Sequence, residues 1–324
     1  MEIYVEPGEP ASDYREGGRV MDEFLRTLIS RKWRVGRLSF TFLDILLAVC
    51  ITGTGVFLRL SVIEYTQTDV MKLAGFAAEF FLAVLCAVIV HHCTGSRNRA
   101  FLTYAVLVIY PTVIANGALW NRGTVFYAIL LFAGLYFVLR GWKALGAISF
   151  LAGGAAAAYR VWRWVDSFRP ALPGLLTRGW PNIYEIIGKR MFADLFAWVS
   201  LLFLLGLLVT AAYCFVKKGV KLTAMLTVQL FLFLALLIPY FAPYMPAWAG
   251  YTADIAALLY CMCRLKRFYF PMLQLIVSYS AYANVINGET KLPMVLFSVI
   301  QLAMIACLGA DIYRETKSTE AKVK

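Results

Sequence analysis

The stretch RVWRWVDSFRPALPGLLTRGWPNIYEIIGKR, residues 160 to 190, sets Arg160, Arg163, Arg169, Arg178, Lys189 and Arg190 among Trp162, Trp164 and Trp180. Guanidinium groups grip phosphate bidentately, and indoles settle at the headgroup level of a bilayer. The run therefore reads as a surface site for an anionic lipid headgroup, with Arg160 and Arg163 on one helical face at three-residue spacing. The same residues also suit a plain interfacial anchor, attracted to anionic lipid by about 1 kcal/mol per basic side chain. The acidic candidates are Asp69 and Asp254. Asp69 sits with Glu64 between two apolar runs, where a carboxylate can act as a general base or cap the next helix. Asp254 lies about one turn inside an apolar run, at a cost of about 2.5 to 3.5 kcal/mol at a helix centre on insertion scales. It must face a bundle interior or an aqueous cleft, either for chemistry or to orient a neighbouring helix through a hydroxyl. Asp44, Glu79 and Asp194 have weaker claims of the same kind.

Other chemistries are not encoded. The chain has no glycine-rich phosphate loop, no HExxH and no G-x-S-x-G, and no cofactor is expected. The seven cysteines fall mostly within or at the inner ends of apolar runs, which predicts buried thiols rather than a disulfide framework. His91, His92 and Cys93 with Cys261 and Cys263 make a poor metal set, because one-residue spacing turns the two thiols to different helix faces. LAGGAAAAY, residues 151 to 159, has the small residues of close helix packing.

The elements that position these residues follow from composition. With 61% apolar residues and 15% charged, the chain is an integral membrane protein. The fold class is all-α, a polytopic transmembrane bundle of about ten spans centred on 41–63, 71–91, 101–119, 124–140, 143–159, 192–215, 221–241, 248–263, 268–286 and 293–312. The net charge of +12 is scattered between spans rather than gathered on a soluble face, which excludes nucleic acid as a partner. Most basic residues fall on one side if both termini are cytoplasmic, and the positive-inside rule then predicts an even number of spans. The expected organisation is a cytoplasmic segment over 1–37, its second half an amphipathic helix on the inner leaflet, a transmembrane domain over 38–313 and a cytoplasmic tail over 314–324. The first span anchors the chain in the cell membrane without a cleavable signal.

Several segments together resemble one family. VLVIYPTVIANGALWNRGTVFY, with Pro111, Thr112, Asn116, Gly117, Trp120 and Tyr127, is similar to a PT-x-x-x-N-(S/G)-x-x-W-G-Q-x-D-x-x-(Y/F) signature. GWPNIYEIIG, with Asn182 and Tyr184, resembles A-P-N-(I/L)-Y. LLIPYFAPYMPAWAGYTADIAALLY keeps Pro239, Phe241, Pro243, Met245, Tyr251, Ala253, Asp254, Leu258 and Tyr260 of a further motif, and RVGRLSFTFLDILLAVCITGTGVFLRL resembles a first span ending in Arg-Leu. These are features of the GT-C superfamily of membrane glycosyltransferases, in particular bacterial relatives of GPI mannosyltransferase II, and the matches run in order from about residue 31 to 313. The resemblance implies a GT-C-like bundle handling a polyprenyl-phosphate-linked sugar at the outer face, with Asp69 and Asp254 as catalytic carboxylates. Arg122, Arg160, Arg163, Asn182 and Tyr184 would then surround substrate and phosphate.

The departures from that pattern are chemical. Arg122 and Thr124 stand where the signature has Gln and Asp, and Tyr159, Arg160 and Val161 where it has K-x-Q. Where relatives carry H-E-R-Y-F in an outer turn, this chain has Pro246, Ala247, Trp248, Ala249 and Gly250. The first outer loop is compressed to little more than SVIEYTQTDVMK. Two readings stay open: a glycosyltransferase of hexosyl or mannosyl type with an altered site, and a non-catalytic descendant that binds lipid phosphate or serves as accessory subunit to a membrane-protein partner in envelope-glycan assembly. A transporter is a weaker third, for want of an inverted repeat or paired broken helices.

Overall fold

The computed structural model describes residues 32–35, 38–63, 70–120, 123–168, 176–177, 179–187, 192–217, 219–287 and 293–321. It forms two compact units, Met1–Val56 and Phe57–Lys324. In the first, strands β1 (Lys32–Val35) and β2 (Leu38–Thr41) pair antiparallel with Lys32 opposite Thr41 and Val35 opposite Leu38. This corrects the amphipathic helix expected to run to 37. Thr41 then caps helix α1 (Phe42–Ile63): its N–H and hydroxyl donate to Asp44 Oδ2 at 2.6 Å and its Oγ1 accepts from the Asp44 N–H at 3.3 Å. Asp44 thus closes a capping box.

The rest is helical: α2 (Val70–Thr94), α3 (Arg97–Val108), α4 (Pro111–Ile114) continued by a wide π turn over Ala115–Trp120, α5 (Thr124–Leu139), α6 (Lys143–Phe168), α7 (Ile183–Ile187), α8 (Ala193–Lys217), α9 (Ala224–Phe241), α10 (Tyr251–Cys263), α11 (Tyr269–Asn287) and α12 (Met294–Ala321). Local chemistry sets the boundaries. Gly95 takes the left-handed conformation that ends α2, its N–H donating to His91 O, and Ser96 caps α3. Pro111 lacks an amide hydrogen, so it breaks the run and α3 meets α4 at a 45° bend.

Six described helices are long and apolar enough to cross a membrane, within Phe42–Val62, Lys72–Thr94, Lys143–Asp166, Leu195–Lys217, Ala224–Phe241 and Met294–Ser318, and counting the bent α3–α4 pair as one span brings the number to seven. The protein is thus built as a multi-pass membrane protein. Each of the remaining expected spans is a helix too, but α5 has 16 residues and α10 has 13. The reason is position: α10 packs against α2, α3, α9 and α11 and is buried from Tyr251 to Met262, so it need not present an apolar face to lipid.

The second unit has two distinct ends. At one, His92 Nε2 meets Leu139 O at 3.2 Å, Arg99 donates to Cys263 O at 3.5 Å, Arg264 pairs with Glu315 at 3.3 Å, and Arg267 pairs with Asp311. Tyr260 donates to Asp311 Oδ2 at 2.9 Å and accepts from Gln229 at 3.3 Å, which ties α9, α10 and α12 together. The other end is closed by the segment around Trp180 and the 242–250 turn.

Candidate functional site

Polar groups fill the middle of the bundle. Arg59, near the end of α1, donates through Nε to Glu79 Oε2 at 2.7 Å and through Nη1 to Val108 O at 2.9 Å, both side chains being about 1% exposed. Gly117 in the π turn lies against that carboxylate so closely that a Cβ would fall on it. Next to it Asn116 donates to the Tyr282 hydroxyl at 3.1 Å and accepts from Thr124. Asp254 accepts at Oδ1 from Gln274 Nε2 at 2.9 Å and from Ser278 Oγ at 2.5 Å, and Thr112 interacts with the same carboxylate. The motif residues Thr112, Asn116 and Gly117 and the motif residue Asp254 are therefore brought into one buried polar core.

The segment 176–187 closes one end. Gly179 bridges Pro246, Trp180 N–H donates to Met245 O at 3.3 Å, and Tyr244, itself at a positive φ of 59°, donates through N–H to Leu176 O at 2.8 Å. Trp180 is fully buried with its indole against Gly250, where any Cβ would enter the ring. The bulk missing from the turn at residue 250 is thus supplied from the preceding segment. Glu185 lies in this cap, where burial pushes its carboxyl above the ordinary range against the opposing hydrogen bond from Thr177.

Beside the polar core lies a cleft of about 940 Å³ between α5, α6, α8 and α9, roofed by the 242–249 turn. Its walls are apolar: Leu131 and Leu135 from α5, Gly154, Ala157, Ala158 and Val161 from α6, Ala197 and Leu204 from α8, and Phe231 and Leu234 from α9. No Asp, Glu, Lys, Arg or His lines it among the described residues. Tyr127, Tyr244, Trp248 and Thr252 give its roofed end some polarity.

The predicted site residues separate on this frame. Asp69 and Arg122 lie outside the described residues, as do Glu64, Arg169, Arg178, Lys189 and Arg190. Arg160 is half-buried, its guanidinium packed on Gly123 and within electrostatic reach of the cleft residue Tyr127, with no ion pair among the described residues. Arg163, one turn on, is exposed. Asn182 is buried with its side chain and carbonyl engaged: Nδ2 donates to Ala242 O at 3.5 Å, Oδ1 accepts from Tyr184 N–H at 3.2 Å, and its carbonyl accepts from Ser298 at 2.7 Å. Tyr184 OH donates to Phe241 O at 2.8 Å. These two hold the cap on the turn and do not reach the cleft. Asp254 is fully buried on the far side of α10 from the cleft wall residue Thr252 and does not line the cleft.

Residues that the sequence reading passed over matter as much. Gln274, Ser278 and Tyr282 recur every fourth position along an apolar run, a polar stripe that marks the inward face of α11. Arg59 was legible as a charge inside an apolar span. All seven cysteines are free, Cys93 and Cys263 interact where α2 and α10 end, and no group of three or more His, Cys, Asp or Glu is placed to hold a metal among the described residues. Searched against protein-family models, curated proteins and solved structures, the chain matches none.

Proposed function

We propose that the protein is a GT-C-like, non-catalytic binder of anionic lipid of the polyprenyl-phosphate class, which holds the chain in the cleft and the phosphate against Arg160. One observation carries this reading: the cleft is large, apolar and free of carboxylates along its described walls, while the Arg160 guanidinium, with no ion pair among the described residues, lies within electrostatic reach of the cleft residue Tyr127. Transfer chemistry requires a base near the phosphate, and Asp254 is occupied elsewhere by Gln274 and Ser278. In the cell membrane all ten helical passes cross, the shorter ones inside the bundle, and both termini face the cytoplasm. The convergence of Thr112, Asn116, Gly117 and Asp254 favours a second reading, an active glycosyltransferase whose base is Asp69.

A photoreactive polyprenyl phosphate added to the purified protein should label α6 and α8 around Val161 and Leu204. Ala157→Trp, which fills the cleft, should abolish that labelling, and Arg160→Lys should weaken it about tenfold or more because ammonium does not bind phosphate bidentately. Labelling unchanged in both variants would end the proposal. Sugar transfer from polyprenyl-phosphate mannose or glucose that is lost in Asp69→Asn would establish the second reading instead.

A further inference from the structure

The Asp254 cluster is not accounted for by lipid binding, and its hydrogen bonding is incomplete. Three elements meet there: α10 brings Asp254, α11 brings Gln274 and Ser278, and α4 brings Thr112 just after the break in the helix. Asp254 and Ser278 are fully buried, as is Gln274, and Thr112 is 2% exposed. Yet Asp254 Oδ2, Thr112 Oγ1 and Gln274 Oε1 complete no hydrogen bond of good geometry, although the Thr112 hydroxyl lies within interaction range of the carboxylate. A buried carboxylate oxygen left open is costly. No described basic side chain offsets it, since Arg59 is bonded to Glu79 and Val108.

We propose that Asp254, Thr112, Gln274 and Ser278 form a binding site for a dehydrated monovalent alkali cation of sodium size. The charge fits, because one carboxylate among neutral oxygens matches a single positive charge. Divalent ions favour several carboxylates, and transition metals favour nitrogen or sulfur donors; neither is present in the cluster. The number of oxygens points to the smaller ion. Four side chains supply them, and ligand number is one of the terms that set which cation a site prefers; the Ser278 hydrogen bonds to Asp254 Oδ1 at 2.5 Å and from Gln274 Nε2 at 3.3 Å open to admit it. A half-turn of the Gln274 amide places Oε1 where Nε2 now lies, and the Ser278 and Thr112 hydroxyls turn their lone pairs inward. Tyr110, inside the break, donates to Pro271 O at 3.3 Å and so keeps α4 registered on α11.

The test is the thermal midpoint of the full chain in detergent, measured in sodium, potassium and choline chloride at equal ionic strength. A cation bound only by the folded state raises the midpoint saturably with its concentration. Sodium should raise it above choline and above potassium. Asp254→Asn should remove the sodium-specific increment, and Ser278→Ala or Thr112→Val should weaken the apparent sodium affinity about tenfold or more. The increment is a difference between salts for each variant, so a lowered baseline does not hide it, and the two milder variants decide the matter if Asp254→Asn does not fold. Equal midpoints in the three salts, or a sodium increment unchanged in both Ser278→Ala and Thr112→Val, would overturn the site.

Discussion

Arg59 and Glu79 are sealed from solvent and paired with each other at 2.7 Å. The Arg59 guanidinium is also used by Val108 O and lies 5.0 Å from the Phe80 ring centroid, so the pair joins α1, α2 and the end of α3. Removing one partner of a buried pair leaves the other charge unmatched, at a typical cost of about 3–5 kcal/mol, whereas replacing both with apolar residues of similar volume is often near neutral. Glu79→Gln and Arg59→Met should each lower stability in detergent by about that amount, and Arg59→Met with Glu79→Leu should recover most of it. Additive losses in the double variant would show that the pair does not act as a unit. Gly117→Ala should behave like a mild form of Glu79→Gln, because its new methyl displaces the carboxylate from Arg59.

The cap over 176–187 is held by the turn opposite, and its two sides were legible to different degrees. Pro243, Pro246 and Gly250 marked the turn at the sequence level, since proline and glycine punctuate chains through fixed φ and a missing side chain. What faced it was not legible, because Trp180 meets Gly250 across about seventy residues and no periodicity encodes such a contact. The same holds for Asn182 and Tyr184, whose amide and hydroxyl look available for a ligand until Ala242 O and Phe241 O are seen to take them. Gly250→Ala should therefore loosen the cap and raise proteolysis within 176–187 without unfolding the bundle, an outcome that limited proteolysis can read. Glu185 adds a pH dependence. Its folded carboxyl is raised by burial, so the fold prefers the protonated form and that stabilisation is complete below the ordinary carboxylate range. As pH rises from there through the raised folded value, the folded state releases its proton later than the unfolded chain and stability falls. The midpoint difference between Glu185→Gln and the parent should widen in favour of the variant across that interval, and a constant difference would remove Glu185 as the cause.

At the scale of the molecule, helix positions were readable because apolar runs report them directly, while span number was not, because apolarity reports contact with lipid and α10 has none to make. Polar α11 turns Met272, Ile276 and Tyr279 outward, and it is Gln274, Ser278 and other polar residues of its inward face that put it outside the length-and-apolarity criterion. Its counterpart is α8, whose side chains are nearly all turned outward and which touches the bundle chiefly through α9. The charge distribution then bears on sidedness. Arg99, Arg264 and Arg267 gather at the end where Leu139 and Glu315 also lie, whereas Arg160 stands about 26 Å along α6 from Lys143 at 1.5 Å per residue. If the first end is cytoplasmic, single cysteines placed at Lys217 and at Lys266 in a cysteine-free background should react with an impermeant thiol reagent only after the cell is opened. A cysteine at Asn287, where α11 ends beside the cap, should react in intact cells. Labelling of positions 217 and 287 from the same side would mean that the chain makes an even number of crossings over α9, α10 and α11, and the ten-pass arrangement would have to be abandoned; labelling of 266 from the side of 287 would instead mean that α10 and α11 enter and leave on one face.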